Sequence, residues 1–363
     1  MNITFRTDAS YDIGSGHVMR CLALADVLRL AGATCRFVCR DHPGNLIDFI
    51  QKKGFSVARL AASICDVTAN NARYSAWLGA DWLTDAEQTI AALGSDKVDW
   101  MIVDHYALDV AWENKIRVLC HRLAVIDDLA DRHHVCDVLI DQNLGRVQGD
   151  YHGLVHATCE VLVGPRYALL RPEFECYREC SLARRALPEF KRLLITMGGV
   201  DKNNITSNVL QALKKCSLHC EFHISVVMGL HAPWIDHVRT EAGEFECSIE
   251  VLVNIQNMAQ LMAESDFVIG AAGSASWERC VLGLPSLLVV LADNQQVIAN
   301  ALVRAGAAQV TREQQLADDI KLLITQLSDN PSLLAPMSTK ASQISDGLGA
   351  NIVAKALSKY FSA

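Results

Sequence analysis

The sequence predicts an α/β protein made of two doubly wound, Rossmann-like domains. Three observations lead there. Its 363 residues exceed what one hydrophobic core usually organises. Short apolar runs alternate with amphipathic stretches through both halves. Most of those runs end in a polar residue, as expected of a largely parallel sheet whose ligands gather at the carboxyl ends of its strands.

The first half opens with the strand-like "NITFRTD", followed by a helix on which Val18, Cys21, Leu22, Ala25 and Leu28 recur at three- and four-residue steps. "ATCRFVCR", "WMIVDHY", "LAVIDD", "DVLIDQN" and "VLVGPRY" read as further strands. Pro165, Pro172, Pro188 and a charged run break the pattern. Residues 1–165 are therefore expected to form the first domain and 166–190 a linker. The alternation resumes with "RLLITMGG", a helix near 205–215, "FHISVVMG", "IEVLVN", a helix near 258–263, "DFVIGAAG", a helix near 276–282 and "SLLVVLAD". Residues 191–345 are expected as the second domain. Residues 346–363 read as a terminal helix that packs back across the first. Two such domains facing one another predict a cleft as the active site.

Composition narrows the function classes. The chain is 51% hydrophobic and 20% charged, yet no apolar run approaches the ~20 residues that span a bilayer, and the start lacks a signal-peptide pattern. A cytoplasmic protein with no membrane insertion is expected. A net charge of −8 argues against a nucleic-acid partner. The 13 cysteines are scattered rather than set in metal-ligand spacing, so no metal and no cofactor are expected. The oligomeric state is not legible.

Candidate site residues fall in loops after strands. In "DIGSGHVMRC", Gly14 and Gly16 strip side chains from around His17 at the start of a helix, a placement suited to a general base. Arg6, Asp8 and Asp12 precede it and are expected to orient the ring or a substrate. Asp104 and Tyr106 in "VDHYALD" and Asn143 in "DVLIDQN" share that rim; Asp127, Asp128, Asp131, His133 and His134 fit no compact ligand set. In the second half, Gly199 in "TMGGVD" and Gly273, Ser274 and Ser276 in "GAAGSASWE" suit phosphate contact by backbone N–H groups, with a serine capping the helix. Glu278 is placed to accept from ribose hydroxyls, and Asn294 and Gln295 in "LADNQQ" supply neutral amides. Three such loops on one predicted sheet edge favour a nucleotide-diphosphate pocket.

The segments "FRTDASYDIGSGHVMRCLALA", "VIDDLADRHHVCDVLIDQN", "VGPRYALLRPEF", "IGAAGSASWERCVLGLPS" and "LADNQ" together resemble the nucleotide-sugar hydrolases of pseudaminic acid biosynthesis. These are MurG-like proteins of the two-domain GT-B architecture. The resemblance implies binding of UDP-2,4-diacetamido-2,4,6-trideoxy-β-L-altropyranose and hydrolysis of its C1–O bond, serving flagellin or surface glycan modification. It implies that His17 activates water, that Asn294 and Gln295 lie near the pyrophosphate and Tyr106 on the sugar side, and that Glu278 lies near the uridine ribose. A MurG-like UDP-sugar glycosyltransferase and a non-catalytic UDP-sugar-binding protein are the alternatives.

Overall fold

The structure is a computed structural model describing residues 1–62, 74–94, 97–230, 232–291 and 293–361, without the side chains of Asp293, Asn294 and Phe361. The chain divides into two compact units, 1–171 with 348–363, and 172–347.

In the first unit, strand and helix alternate: β1 Asn2–Thr7, α1 Gly16–Leu30, β2 Thr34–Arg40, α2 Ile47–Lys52, β3 Ser56–Leu60, α3 Trp82–Leu93, β4 Val98–Asp104, α4 Val110–Ile116, β5 Cys120–Ile126, β6 Val138–Asp141 and β7 Glu160–Val163. The strands form one parallel sheet in the order β3-β2-β1-β4-β5-β6-β7. Its direction of growth reverses between β1 and β4, so the crevice outside their carboxyl ends is the favoured ligand position. Both faces are covered, which explains the nearly continuous apolar strands. Along β4, Trp100 and Ile102 enter one core cluster with Phe5 and Phe37, while Met101 and Val103 enter the other with Leu123 and Trp112.

The second unit runs α5 Pro172–Arg185, β8 Arg192–Thr196, α6 Ile205–Leu213, β9 His223–Met228, α7 Ile235–Ala242, β10 Ser248–Val253, α8 Met258–Glu264, β11 Phe267–Ala271, α9 Ala275–Val281, β12 Ser286–Val289, α10 Asp293–Arg304, β13 Gln309–Thr311, α11 Leu316–Asp329 and α12 Leu334–Ser342. Its parallel sheet has the order β10-β9-β8-β11-β12-β13, reversing between β8 and β11. The doubly wound α/β class expected from the sequence is thus present twice.

Two segments differ from expectation. Residues 172–185, inside the stretch expected as a linker, form α5: Pro172 stands first, where its missing N–H costs nothing, and Arg184 and Arg185 end the helix. Their guanidiniums tie the helix to its own unit, Arg184 on Asp266 and Arg185 on the carbonyls of Leu282, Ser265 and Met262. "DNQQ" is the first turn of α10 rather than a loop. The last helix, α13 Gly349–Ser358, packs beside α1 through Ala350, Val353 and Leu357 in the first unit's core. Gly349 permits this, because a Cβ there would fall 2.2 Å from the Ala168 carbonyl oxygen.

Candidate functional site

The β1–β4 crevice carries a buried polar network built on Asp104. Asp104 ends β4 with no exposed surface, and His17, Arg20 and the Cys21 thiol, all on α1, converge on it. His17 Nδ1 lies 2.6 Å from Oδ1, Arg20 Nε donates to Oδ2 at 2.6 Å and Arg20 Nη2 to Oδ1 at 2.6 Å. Burial raises the Asp104 carboxyl, but Arg20 and His17 outweigh it and hold the group well below the usual carboxylate range. An ionised carboxylate cannot donate, so the short contact places the imidazole proton on Nδ1. Nε2 is then the ring nitrogen with a free lone pair, the arrangement of a general base oriented by a buried acid.

Arg20 also pairs with Asp128 through Nη1, and the Tyr106 hydroxyl donates to the same Asp128 oxygen at 2.7 Å. Asp128 is held in turn: its backbone carbonyl accepts from Asn143 Nδ2 at 3.0 Å and Arg146 Nη2 at 3.2 Å. The Tyr106 ring stands edge-on to His17 with centroids 4.6 Å apart, and Trp77 stacks on Tyr106 at 5.8 Å. His17 therefore sits against an aromatic wall while a chain of charges fixes its far side. Trp77 also lines a cavity of about 440 Å³, together with Tyr11, Asp12 and His42.

Several expected residues do other work. Arg6, on the central strand β1, and Asp8, just after it, are fully buried in ion pairs rather than presented at a surface. Arg6 pairs with Asp8 at 2.7 Å and Asp85 at 2.6 Å; Asp85 also takes Arg40 and the Trp112 indole. Asp104 has no exposed surface and holds His17, and Asn143 Nδ2 donates to the Asp128 carbonyl. Gly14 adopts φ +79°, turning the 10–16 loop, where its N–H donates to the Ser10 carbonyl at 2.9 Å. Gly16 starts α1, and Asp12 is exposed beside the cavity. The acidic and histidine cluster after β5 disperses: Asp127 accepts from the Leu129 and Ala130 N–H groups, and His134 pairs with buried Glu113 at 2.6 Å. Burial pushes the Cys35 and Cys280 thiols up to about 12, so they serve as small apolar fillers.

In the second unit, Gly199 follows β8 in an exposed turn whose carbonyl packs against Gly229. Gly273 is beside α9, and Gln295 reaches it: the amide Nε2 lies 3.9 Å from where a Gly273 Cβ would stand, while Oε1 accepts from the Leu291 N–H at 3.0 Å. The expected serine cap is absent. Ser274 stands at the N-cap in helical geometry with no side-chain capping bond, and Ser276, inside α9, accepts from Arg279. Glu278 is half-buried one turn in. Asn294 lies in α10, its side chain outside the described residues.

Arg20, Trp77 and Arg279 were not singled out by sequence reasoning, and Asp128 was named only as one of the polar cluster after β5. Arg20 carried a usable signal, since a residue three after His17 shares its helix face. Trp77 carried none, because its role depends on Tyr106, a residue distant in sequence, and Arg279 none, because the burial of a charged side chain on α9 is set by tertiary packing.

Comparison with known proteins fits this geometry. Residues 192–351 match the glycosyltransferase family 28 C-terminal domain. The chain is 28% identical over 307 residues to the UDP-2,4-diacetamido-2,4,6-trideoxy-beta-L-altropyranose hydrolase of Campylobacter jejuni, covering 84% of this chain and 97% of that protein. It is also 28% identical over 300 residues to the uncharacterized protein MJ1062 of Methanocaldococcus jannaschii, covering 81% of this chain and only 56% of that longer protein. Among solved structures, Acinetobacter baumannii MurG superposes with a TM-score of 0.71 at 18% identity, covering 99% of each chain.

Proposed function

We infer that the chain, similar to the Campylobacter jejuni hydrolase over most of its length and sharing the MurG-like GT-B fold, is an enzyme that acts on nucleotide sugars. We propose that it hydrolyses UDP-2,4-diacetamido-2,4,6-trideoxy-β-L-altropyranose at the C1–O bond, releasing UDP and 2,4-diacetamido-2,4,6-trideoxy-L-altrose. The observation that carries the reading is the His17–Asp104 pair, a base oriented through Nδ1 by a buried carboxylate.

In this reading His17 Nε2 takes a proton from water as the water oxygen attacks C1. The C1–O bond breaks, its electron pair leaves with UDP, and the configuration at C1 inverts. UDP is a good leaving group and needs no acid of raised pKa. The imidazolium that forms is stabilised by ionised Asp104. Trp77 and Tyr106 offer apolar faces for a deoxysugar. The second unit holds the nucleotide, with Gly199, Gly273, Ser274, Asn294 and Gln295 at the diphosphate and Glu278 at the ribose.

A MurG-like transferase is the second reading, favoured by the family 28 match. That match covers only 192–351, whereas the likeness to the hydrolase spans 84% of the chain, which supports hydrolysis. The test is UDP release from the purified protein with no acceptor present, with His17→Ala alongside. Turnover that disappears in the variant supports the proposal. Turnover only after a hydroxyl-bearing acceptor is added would replace it with transfer.

A further inference from the structure

Two arginines are buried in the second unit, and they differ in one respect. Arg185 spends Nε, Nη1 and Nη2 on three carbonyls and is a satisfied staple. Arg279, 2% exposed, donates through Nη2 alone, to the Ala271 carbonyl at 2.7 Å and the Ser276 hydroxyl at 2.8 Å. Among the described residues neither its Nε nor its Nη1 meets an acceptor. Burial lowers this guanidinium to about 10, with the neighbouring Cys280 and Glu278 only partly opposing it, and a buried charge incompletely compensated is unfavourable.

Its location gives the charge a purpose. A Cβ on Gly270 would fall 2.5 Å from Arg279 Nη1 and 2.9 Å from the Thr196 carbonyl oxygen, and Gly270 pairs with Thr196 where β11 meets β8. The guanidinium thus lies over the last residue pair of those two strands, where the sheet order reverses and open α/β sheets receive ligands. The same side chain ties together both ends of the 271–276 loop that carries Gly273.

We propose that Arg279 is a positioning residue for a nucleoside diphosphate at the β8–β11 crevice, fixing the 271–276 loop and supplying the buried positive charge that the bound phosphates balance. This deepens the nucleotide reading of the second unit and rests on it. Arg279 acts through the loop and through its field, which is strong in a poorly solvated interior, and not by touching the ligand.

The test is calorimetric titration of the full-length protein, wild type, Arg279→Met and Arg279→Lys, with UDP and with uridine as the uncharged probe. Arg279→Met is expected to lose at least about tenfold in UDP affinity, equivalent to about 1.4 kcal/mol, with uridine affinity within about twofold of wild type. Arg279→Lys, which keeps the charge, recovers part of the loss. Free of ligand, Arg279→Met melts no lower than wild type, since an apolar side chain replaces an unbalanced charge. Equal losses for UDP and uridine would reduce Arg279 to loop packing and overturn the proposal, as would unchanged UDP affinity. A wild type that binds neither probe would overturn the nucleotide reading itself. If Arg279→Met does not fold, Arg279→Gln, neutral but able to hold the loop, must show the same UDP-selective loss.

Discussion

Replacing Asp104 with Asn isolates the link between the buried network and His17. The carboxylate has no exposed surface and accepts three contacts of 2.6 Å, one from His17 and two from Arg20. Asn keeps the volume but carries no charge, and its NH₂ group must face either the imidazole or a guanidinium that can only donate. Removing one partner of a buried ion pair costs about 3–5 kcal/mol. Arg20 retains Asp128, which places Asp104→Asn at the lower end, about 3 kcal/mol. The chemical consequence is larger. An amide N–H directed at Nδ1 draws the imidazole proton to Nε2 and removes the base, so kcat is expected to fall about 10²–10⁴-fold, the range for general acid–base catalysis. Urea unfolding reports the first effect and steady-state UDP release the second. The ¹⁵N shifts of His17 report the tautomer directly: Nδ1 protonated in the wild type, Nε2 protonated in the variant. A variant with wild-type kcat, or a wild type with Nε2 protonated, would refute the reasoning.

Three further outcomes are expected. Asp8 and Asp104 are raised by burial but held well below the usual carboxylate range by Arg6 and by Arg20 respectively; their contribution to stability is therefore complete above about pH 4, the unfolded value, and is lost as pH falls below it, which urea midpoints between pH 3 and 6 will show. Asp141 has the opposite sign: burial, then the Asp128 charge, push its carboxyl up to about 7, so the folded state keeps a proton that the unfolded chain releases, and stability declines as pH rises from about 4 towards 7. Asp141→Asn should flatten that decline, and an unchanged slope would count against the assignment. Gly349→Ala places a methyl 2.2 Å from the Ala168 carbonyl oxygen, an overpacking expected to cost about 1–3 kcal/mol and to expose the C-terminal helix to limited proteolysis.

The fold was legible because its determinants are local. Strands buried on both faces must be apolar along their length, as in "WMIVD", and α1 shows its buried face in the spacing of Val18, Cys21, Leu22, Ala25 and Leu28. The helical character of 172–185 and 293–304 was missed for an equally local reason: proline at a first helical position reads as a break, and amide-rich first turns read as loops. The site was legible in part. His17 stood out because glycines surround it, and Asp104 and Tyr106 because they end a strand. Arg6 and Asp8 read as site candidates because charge in a strand suggests exposure, while they pair with each other and Arg6 also pairs with Asp85, 79 residues away. Long-range charge pairing leaves no trace in spacing, and for that reason the pairing of Arg20 with Asp104 and Asp128 emerged only from the structure.

The central claim is direct attack of water on the anomeric carbon with His17 as base. The most direct measurement is turnover of UDP-2,4-diacetamido-2,4,6-trideoxy-β-L-altropyranose in ¹⁸O water, with the label located in the products and His17→Ala run beside the wild type. Label in the sugar at C1, with turnover lost in the variant, is the predicted result. Label in UDP would mean cleavage at phosphorus and would contradict the mechanism.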